Sequence, residues 1–154
     1  MRIDFYHLQK STLEQVLPVL AQKVYTSGKR LLIRTELSER AEFINTLLWT
    51  FNPDSWLPHG TDADGFETEQ SVFISTGQDN PNNAEMVLLT DGGTIEEICS
   101  FERCFNLFNG HDETAVQSAR ELWKAATQHG FEAYYWQQNE EGKWEMKASK
   151  VPEK

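Results

Sequence analysis

The feature that most constrains the fold is an alternation along the chain of short β-rich runs and amphipathic helical segments. Strands that alternate with helices form a parallel sheet whose two faces the helices cover. We therefore predict a Rossmann-like α/β fold, a single-domain three-layer sandwich with a largely parallel central sheet. The predicted strands are Ile3–Leu8, Leu31–Ile33, Ser71–Ser75, Met86–Leu89 and Cys104–Phe108, with a hairpin of Phe131–Gln137 and Lys143–Lys147, and the predicted helices begin near Ser11, Ser38, Ile95 and either Asp112 or Thr114.

The length of 154 residues and the hydrophobic content of 39% are typical of one globular domain. We assign residues 1–150 to this domain and residues 151–154 to a frayed tail. No apolar run approaches the ~20 residues that a membrane span needs, and the charged start MRIDFYHLQK is unlike a signal peptide. The two cysteines, Cys99 and Cys104, form no CxxC motif, which indicates a reducing compartment. We expect a soluble cytoplasmic protein that does not contact membranes.

The charge balance is acidic, with 24 Asp and Glu against 14 Lys and Arg and a pI of about 4.8. A chain of this kind lacks the positive field that drives general binding to the phosphate backbone. We therefore expect its contact with nucleic acid to be mainly indirect, through a protein partner.

The sequence contains no clear nucleotide, metal or catalytic motif. The GxGxxG pattern is absent. Ser27–Lys29 resembles the end of a P-loop but follows a predicted helix instead of a strand, so a helix C-cap followed by a basic residue is the simpler interpretation. Asp91–Thr94 could hold an anion on its amides, although a turn with Thr94 as a helix cap is the simpler interpretation. The carboxylates of Thr61–Gln70 could in principle bind a hard cation. We expect no cofactor, no metal and no catalytic residue.

The helix that starts at Ser38 leaves a tryptophan on its polar side. Trp49 points away from the apolar side, so it cannot reach the core through its own helix. Either the segment Asn52–Gly60 folds over Trp49, or another protein covers it. Trp56 is a candidate neighbour of Trp49. The predicted apolar side consists of Phe43, Ile44, Leu47, Leu48 and Phe51.

The long helix near the C-terminus combines an aromatic residue with two cations. It could present a boundary tryptophan flanked by long cations that keep their charges in water. It could equally form a pocket for a peptide with an apolar side chain and a carboxylate. At 100° per residue, the core stripe consists of Ala115, Ala119, Leu122 and Ala126, with Val116 and Trp123 at its margin and Arg120, Lys124 and Thr127 just beyond it.

Several segments resemble, in their order along the chain, the chi-subunit family of the bacterial DNA polymerase III holoenzyme, which is part of the clamp-loader complex. The patterns LWTF…WLPHG and AR-x-x-W-K are specific in combination. The resemblance extends nearly to Phe131 and implies an α/β fold of the nucleotide-binding type without a catalytic role. The matching segments are IDFYHL, SGKRLLI, LLWTFNPDSWLPHG, NPNNAEMVLL and SARELWKAATQHGF.

The resemblance also implies two protein partners. One is the psi subunit, which ties chi to the clamp loader, and the other is the acidic, hydrophobic C-terminal tail of the single-stranded-DNA-binding protein. Some family members carry further cations where Val116 and Thr127 stand here. The implied psi-binding residues are Trp49, Trp56, Leu57, Pro58 and His59, and the implied tail-binding residues are Arg120, Trp123 and Lys124.

Together these observations predict a non-catalytic accessory subunit in DNA replication, within a complex whose overall activity is DNA-directed DNA polymerase. The subunit would bridge the clamp loader to single-stranded-DNA-binding protein on the lagging strand. A helicase or repair protein is an alternative partner at the psi-binding residues. The alternative function is that of an enzyme, a nucleotide-binding one on a Rossmann-like fold. The missing phosphate motifs disfavour it.

Overall fold

The computed structural model describes residues 1–50, 59–61, 70–77 and 80–151. Strands and helices alternate over most of these ranges as the periodicity predicts. The elements in chain order are β1 (Arg2–Leu8), α1 (Leu13–Thr26), β2 (Leu31–Arg34), α2 (Ser38–Thr50), β3 (His59–Thr61), β4 (Val72–Ser75), β5 (Met86–Leu89), α3 (Ile95–Ile98), β6 (Arg103–Asn109), α4 (Glu113–Gln128), β7 (Glu132–Gln138) and β8 (Trp144–Lys150). The exception is that, among the described residues, β3, β4 and β5 follow one another without a helix.

The eight strands of the described ranges form one sheet in the order β3-β4-β2-β5-β6-β1-β7-β8. All neighbours pair in parallel except β7 and β8, which form an antiparallel hairpin. Parallel neighbours need long crossover connections, and the helices α1, α2, α3 and α4 lie in the connections that follow β1, β2, β5 and β6. The predicted α/β class and largely parallel sheet are confirmed.

Side chains alternate between the two faces of each strand and so build two separate cores. Ile3 and Phe5 of β1 lie in the core beneath α3 and α4. Leu31 and Ile33 of β2 lie in the core beneath α1 and α2. The sheet is therefore the middle layer of a three-layer sandwich.

The start of α1 lies one residue later than the Ser11 signal suggests. Thr12 is the N-cap, and its backbone N–H donates to the Gln15 side chain at 2.9 Å. This bond satisfies one of the amides that a helix start leaves free. Pro18 lies buried inside the helix.

The apolar side of α2 is narrower than the sequence suggests. Ile44 and Leu48 are buried as predicted, whereas Phe43 is 47% exposed, so its assignment to the apolar side was wrong. The buried residues of α2 follow a spacing of three and four from Ala41, and Phe43 lies outside this line. Phe51 lies outside the described residues.

The strand β3 was not predicted. It comprises only His59–Thr61 and pairs with β4 at the edge of the sheet. Its residues HGT carry no apolar alternation, so pairing with β4, and not local propensity, determines this strand.

Candidate functional site

The first candidate site lies on α4, which packs on β6, β7 and β1. The carboxylate of Asp112 caps this helix, accepting hydrogen bonds from the N–H groups of Thr114 at 3.0 Å and Ala115 at 3.4 Å. A side-chain oxygen at this position satisfies amides that have no partner inside the helix. Three of the four residues of the predicted core stripe, Ala119, Leu122 and Ala126, are buried, and the fourth, Ala115, is partly buried against the same core.

Trp123 lies half-buried at the margin of that stripe. Its ring is 5.5 Å from the ring of Phe5 and 6.2 Å, nearly perpendicular, from the ring of Tyr135. Edge-to-face contacts of this kind hold an aromatic side chain in a fixed orientation. Trp123 therefore presents a rigid apolar surface beside the outer face of α4.

Arg120 and Lys124 lie one turn apart on that outer face, and both are exposed. Neither forms an ion pair with any residue in the described ranges. Cations without an acidic partner are notable on a chain with a formal net charge of −10. The described structure thus brings all three predicted residues, Arg120, Trp123 and Lys124, onto one surface.

Two residues that the sequence did not suggest lie beside Arg120. Burial raises the pKa of Tyr135, and the charge of Arg120 opposes this effect. Burial also lowers the pKa of His7, and the charges of His111 and Arg120 lower it further, which keeps His7 neutral near pH 7. The His7 Nδ1 and the Tyr135 hydroxyl are hydrogen-bonded at 2.5 Å. These residues come from β1 and β7, so helical periodicity in α4 could not indicate them.

Gly110 packs closely against the ring of His7. Its N–H donates to the Leu8 carbonyl at 2.7 Å, which holds it against the ring of His7. A Cβ at position 110 would lie 2.2 Å from the His7 Cδ2 and Nε2 atoms and 2.9 Å from the Leu8 oxygen. No side chain fits there without displacing the His7 ring.

We therefore expect Gly110→Ala to lower the free energy of unfolding by roughly 1–3 kcal/mol, as overpacking of a close contact does. Urea denaturation of both proteins measures the difference. Gly77→Ala is the matched control, because its Cβ would meet the Ser75 Oγ at an ordinary 3.5 Å. If both variants lose the same free energy of unfolding, the close contact between Gly110 and His7 is not the cause of the loss.

The second candidate site is centred on Trp49 near the end of α2. Its side chain is 60% exposed, as predicted, and its ring centroid lies 4.7 Å from that of His59. His59 is only 8% exposed, and its Nε2 lies 3.3 Å from the Asn45 carbonyl oxygen. His59 therefore supports the Trp49 ring from within. The other implied members of this site, Trp56, Leu57 and Pro58, lie outside the described residues.

The two sites lie far apart on the sheet. His59 belongs to β3, and the Tyr135 beside Trp123 belongs to β7, six strand positions away. At ~4.8 Å per strand, the separation is about 29 Å. A protein bound at one site can leave the other accessible.

The loops that could have held a nucleotide adopt turn conformations. Gly28, with φ +84°, follows the C-terminus of α1, which confirms the helix-cap interpretation of Ser27–Lys29. Gly92 has φ +80°, and Thr94 is the N-cap of α3, although its hydroxyl donates to the Glu97 carboxylate at 3.2 Å. Because α3 spans only Ile95–Ile98, it offers little helix dipole to an anion.

The described ranges contain neither a metal-binding cluster nor a helix suited to a membrane. No three or more His, Cys, Asp and Glu side chains come together there in a way that could hold a metal ion. All four carboxylates of the predicted acidic loop lie in 62–69, outside those ranges. None of the described helices is both long enough and apolar enough to cross a membrane.

Comparison with known proteins gives consistent matches. Residues 1–134 match the family described as "DNA polymerase III chi subunit, HolC". The "Probable DNA polymerase III subunit chi" of Rickettsia prowazekii (strain Madrid E) is 25% identical over 107 residues, which cover 70% of this chain and 65% of that protein. The chain thus spans just under two thirds of the rickettsial protein.

Two further relatives carry the name "DNA polymerase III subunit chi". The protein of Haemophilus influenzae (strain ATCC 51907 / DSM 11121 / KW20 / Rd) is 27% identical over 128 residues, covering 79% of this chain and 86% of its own length. The protein of Escherichia coli (strain K12) is 26% identical over 121 residues, covering 79% and 82%.

Proposed function

The chain belongs to the family of DNA polymerase III chi subunits, and we propose that it serves that polymerase as a non-catalytic adaptor between two other proteins. Family membership makes it an accessory subunit in DNA replication. In the proposed role it binds the psi subunit of the clamp loader at one site and single-stranded-DNA-binding protein at the other. It works in the cytoplasm and meets the lagging strand mainly through these partners.

The observation that carries the proposal is the outer face of α4. Arg120 and Lys124 have no acidic partner among the described residues, and the half-buried Trp123 lies between them. A C-terminal tail with an apolar side chain and a carboxylate matches both features. The guanidinium of Arg120 can bind the carboxylate while the apolar side chain packs on the indole of Trp123. The negative charge of the tail is attracted to these two cations on an otherwise acidic protein.

Trp49 supports the second half of the proposal. An indole that is 60% exposed and rests on a buried histidine ring is a preorganised anchor for a protein partner. Psi is the partner we propose for it, through Trp49 together with Trp56, Leu57, Pro58 and His59. A helicase or repair protein that used the same anchor would compete with psi.

A thermal-unfolding comparison tests the adaptor function against the nucleotide-binding alternative. One arm uses a synthetic peptide with acidic residues, an apolar last side chain and a free C-terminal carboxylate. The second uses the same peptide with an amidated C-terminus, and the third uses nucleoside triphosphates and dinucleotides. A ligand at a hundredfold excess over its Kd stabilises the folded state by about 2.7 kcal/mol, which raises Tm by roughly 5–10 °C.

We expect the free-carboxylate peptide alone to raise Tm. We also expect no nucleotide hydrolysis, no DNA synthesis and no submicromolar binding of single-stranded DNA near physiological salt, because the chain is acidic and the two segments that resemble phosphate-binding loops, at Gly28 and Gly92, form turns. Stabilisation by a nucleotide without any effect of the peptide would reject the adaptor function in favour of the enzyme.

A further inference from the structure

A groove of about 380 Å³ lies between α1 and the β7–β8 hairpin, away from both sites described above. Three aromatic side chains form its floor. The ring of Tyr6 stacks with that of Trp136 at 6.4 Å, and Trp144 meets Tyr6 edge-on at 5.2 Å. The indole N–H of Trp136 donates to the buried carboxylate of Asp4 at 3.0 Å. These contacts fix the orientation of the floor.

The amide of Gln138 holds the hairpin against the start of α1. Its oxygen accepts hydrogen bonds from the backbone N–H groups of Lys10 at 3.0 Å and Ser11 at 2.9 Å. Its nitrogen donates to the Ser11 Oγ at 2.8 Å and the Gly142 carbonyl at 3.1 Å. Gln138 is buried and bonded through both ends of its amide, so the groove is preformed.

One side of α1 forms the wall of the groove. Val16, Val19, Leu20 and Lys23 line it, at the spacing of three, four and seven that places side chains on one helix face. Val19 is 41% exposed, and Met146 on β8 is 51% exposed. Within the described ranges, no helix makes an extensive contact with the outer strand β8. This end of the sheet therefore offers apolar surface where the sandwich would be completed by another helix.

The border of the groove is positively charged. Arg2 and Arg103 share the single carboxylate of Asp4, each at 2.9 Å, and both guanidinium groups lie close enough to Tyr6 to oppose the rise in its pKa that burial causes. Lys23 has no ion-pair partner in the described ranges. Two cations thus share one carboxylate beside Tyr6, and a third cation, Lys23, lines the groove, on a chain whose formal net charge is −10.

The groove depends on residues beyond the family match. That match ends at residue 134, and Trp136, Gln138 and Trp144 follow it. The hairpin that builds the floor is therefore not part of the region by which the family is recognised.

We propose that this groove binds an amphipathic helix of a protein partner, with the apolar stripe of that helix on Tyr6, Trp136 and Trp144 and its carboxylates facing Lys23, Arg2 and Arg103. The aliphatic wall and the tightly stacked rings suit a helix better than nucleobases, which need open aromatic faces. A second copy of this chain is disfavoured because each copy is strongly acidic. The seven residues of β8 extend over about 24 Å, which a helix of about 16 residues matches.

The test uses a designed helical peptide of about this length, with leucine and phenylalanine on one stripe and glutamates on its flanks. Matched peptides carry lysines in place of the glutamates or the same residues in scrambled order. ¹⁵N-labelled full-length protein reports binding through its indole N–H signals. We expect the glutamate peptide to move the signals of Trp136 and Trp144 and to leave that of Trp49 unchanged.

Two variants test the location and the charge of the groove. Val19→Glu places a charge on the apolar wall and is expected to weaken binding about tenfold or more, whereas Phe43→Glu, an equally exposed apolar position on α2, should have no effect. Lys23→Glu should weaken binding of the glutamate peptide about three- to fivefold and strengthen that of the lysine peptide.

Four results would overturn the proposal. They are no movement of either indole signal at about millimolar peptide, stronger binding of the lysine peptide to the parent protein, stronger binding of oligothymidylate in this groove, and self-association in sedimentation experiments that moves the same signals without peptide.

Discussion

Arg120→Ala is expected to weaken binding of the acidic C-terminal tail peptide about ten- to a hundredfold. A hydrogen bond between a guanidinium and a carboxylate contributes roughly 1.5–3 kcal/mol, which corresponds to that range. Arg120 is exposed and has no ion-pair partner in the described ranges, so its removal leaves no buried charge and should not alter the fold. Isothermal titration calorimetry with the free-carboxylate peptide measures the change in Kd.

Neighbouring variants give this experiment its controls. Lys124→Ala should cost less, because an ammonium offers a point charge and not a bidentate fork. Thr127→Arg adds a cation on the same face and should tighten binding. Added salt should weaken the parent complex, since exposed ion pairs are screened over ~8–10 Å. If Arg120→Ala binds the peptide as tightly as the parent, the tail site is elsewhere.

Trp49→Ala is expected to weaken psi binding about thirtyfold or more. Truncation of a tryptophan anchor at an interface costs about 2 kcal/mol or more. The side chain is 60% exposed, so the free energy of unfolding should change little. Isothermal titration calorimetry of psi with the variant and with the parent protein measures the change in Kd.

Phe43→Ala is the matched control for that variant, because it removes a 47% exposed aromatic ring from the same helix. It should leave psi binding intact, and both variants should bind the tail peptide normally. Trp56→Ala is expected to abolish psi binding without unfolding the protein or weakening tail binding. If Trp49→Ala and Phe43→Ala weaken psi binding equally, the loss comes from a general disturbance of α2, and Trp49 is not the anchor.

Local sequence patterns predicted most of the secondary structure because they depend on residues close together in the chain. The alternation of strands and helices indicated the parallel sheet, and the 100° spacing in α4 by itself placed Trp123 beside Arg120 and Lys124. The structure selects Asp112, one of the two predicted starts of α4, as the N-cap, and α1 ends just before Gly28; both capping roles are set by backbone geometry within a few residues. The outward position of Trp49 followed from the same periodicity.

Local patterns failed where burial depends on which elements become neighbours. Phe43 has the composition of a core residue, yet α2 packs along the narrow line through Ala41, Ile44 and Leu48. The strand β3 forms because β4 is available to pair with His59–Thr61, which have no apolar alternation of their own. Neither outcome can be calculated from a short window of sequence.

The candidate sites divide in the same way. The residues that one helix presents, Arg120, Trp123 and Lys124, were readable from its spacing. Their surroundings were not, because His7 and Tyr135 are separated by 128 positions and meet only through the pairing of β1 with β7. The groove beside α1 likewise exists only because the β7–β8 hairpin extends the sheet past the helix. Short-range periodicity is encoded by neighbouring side chains, whereas strand order is selected by the burial of the whole chain, and only the tertiary structure records that selection.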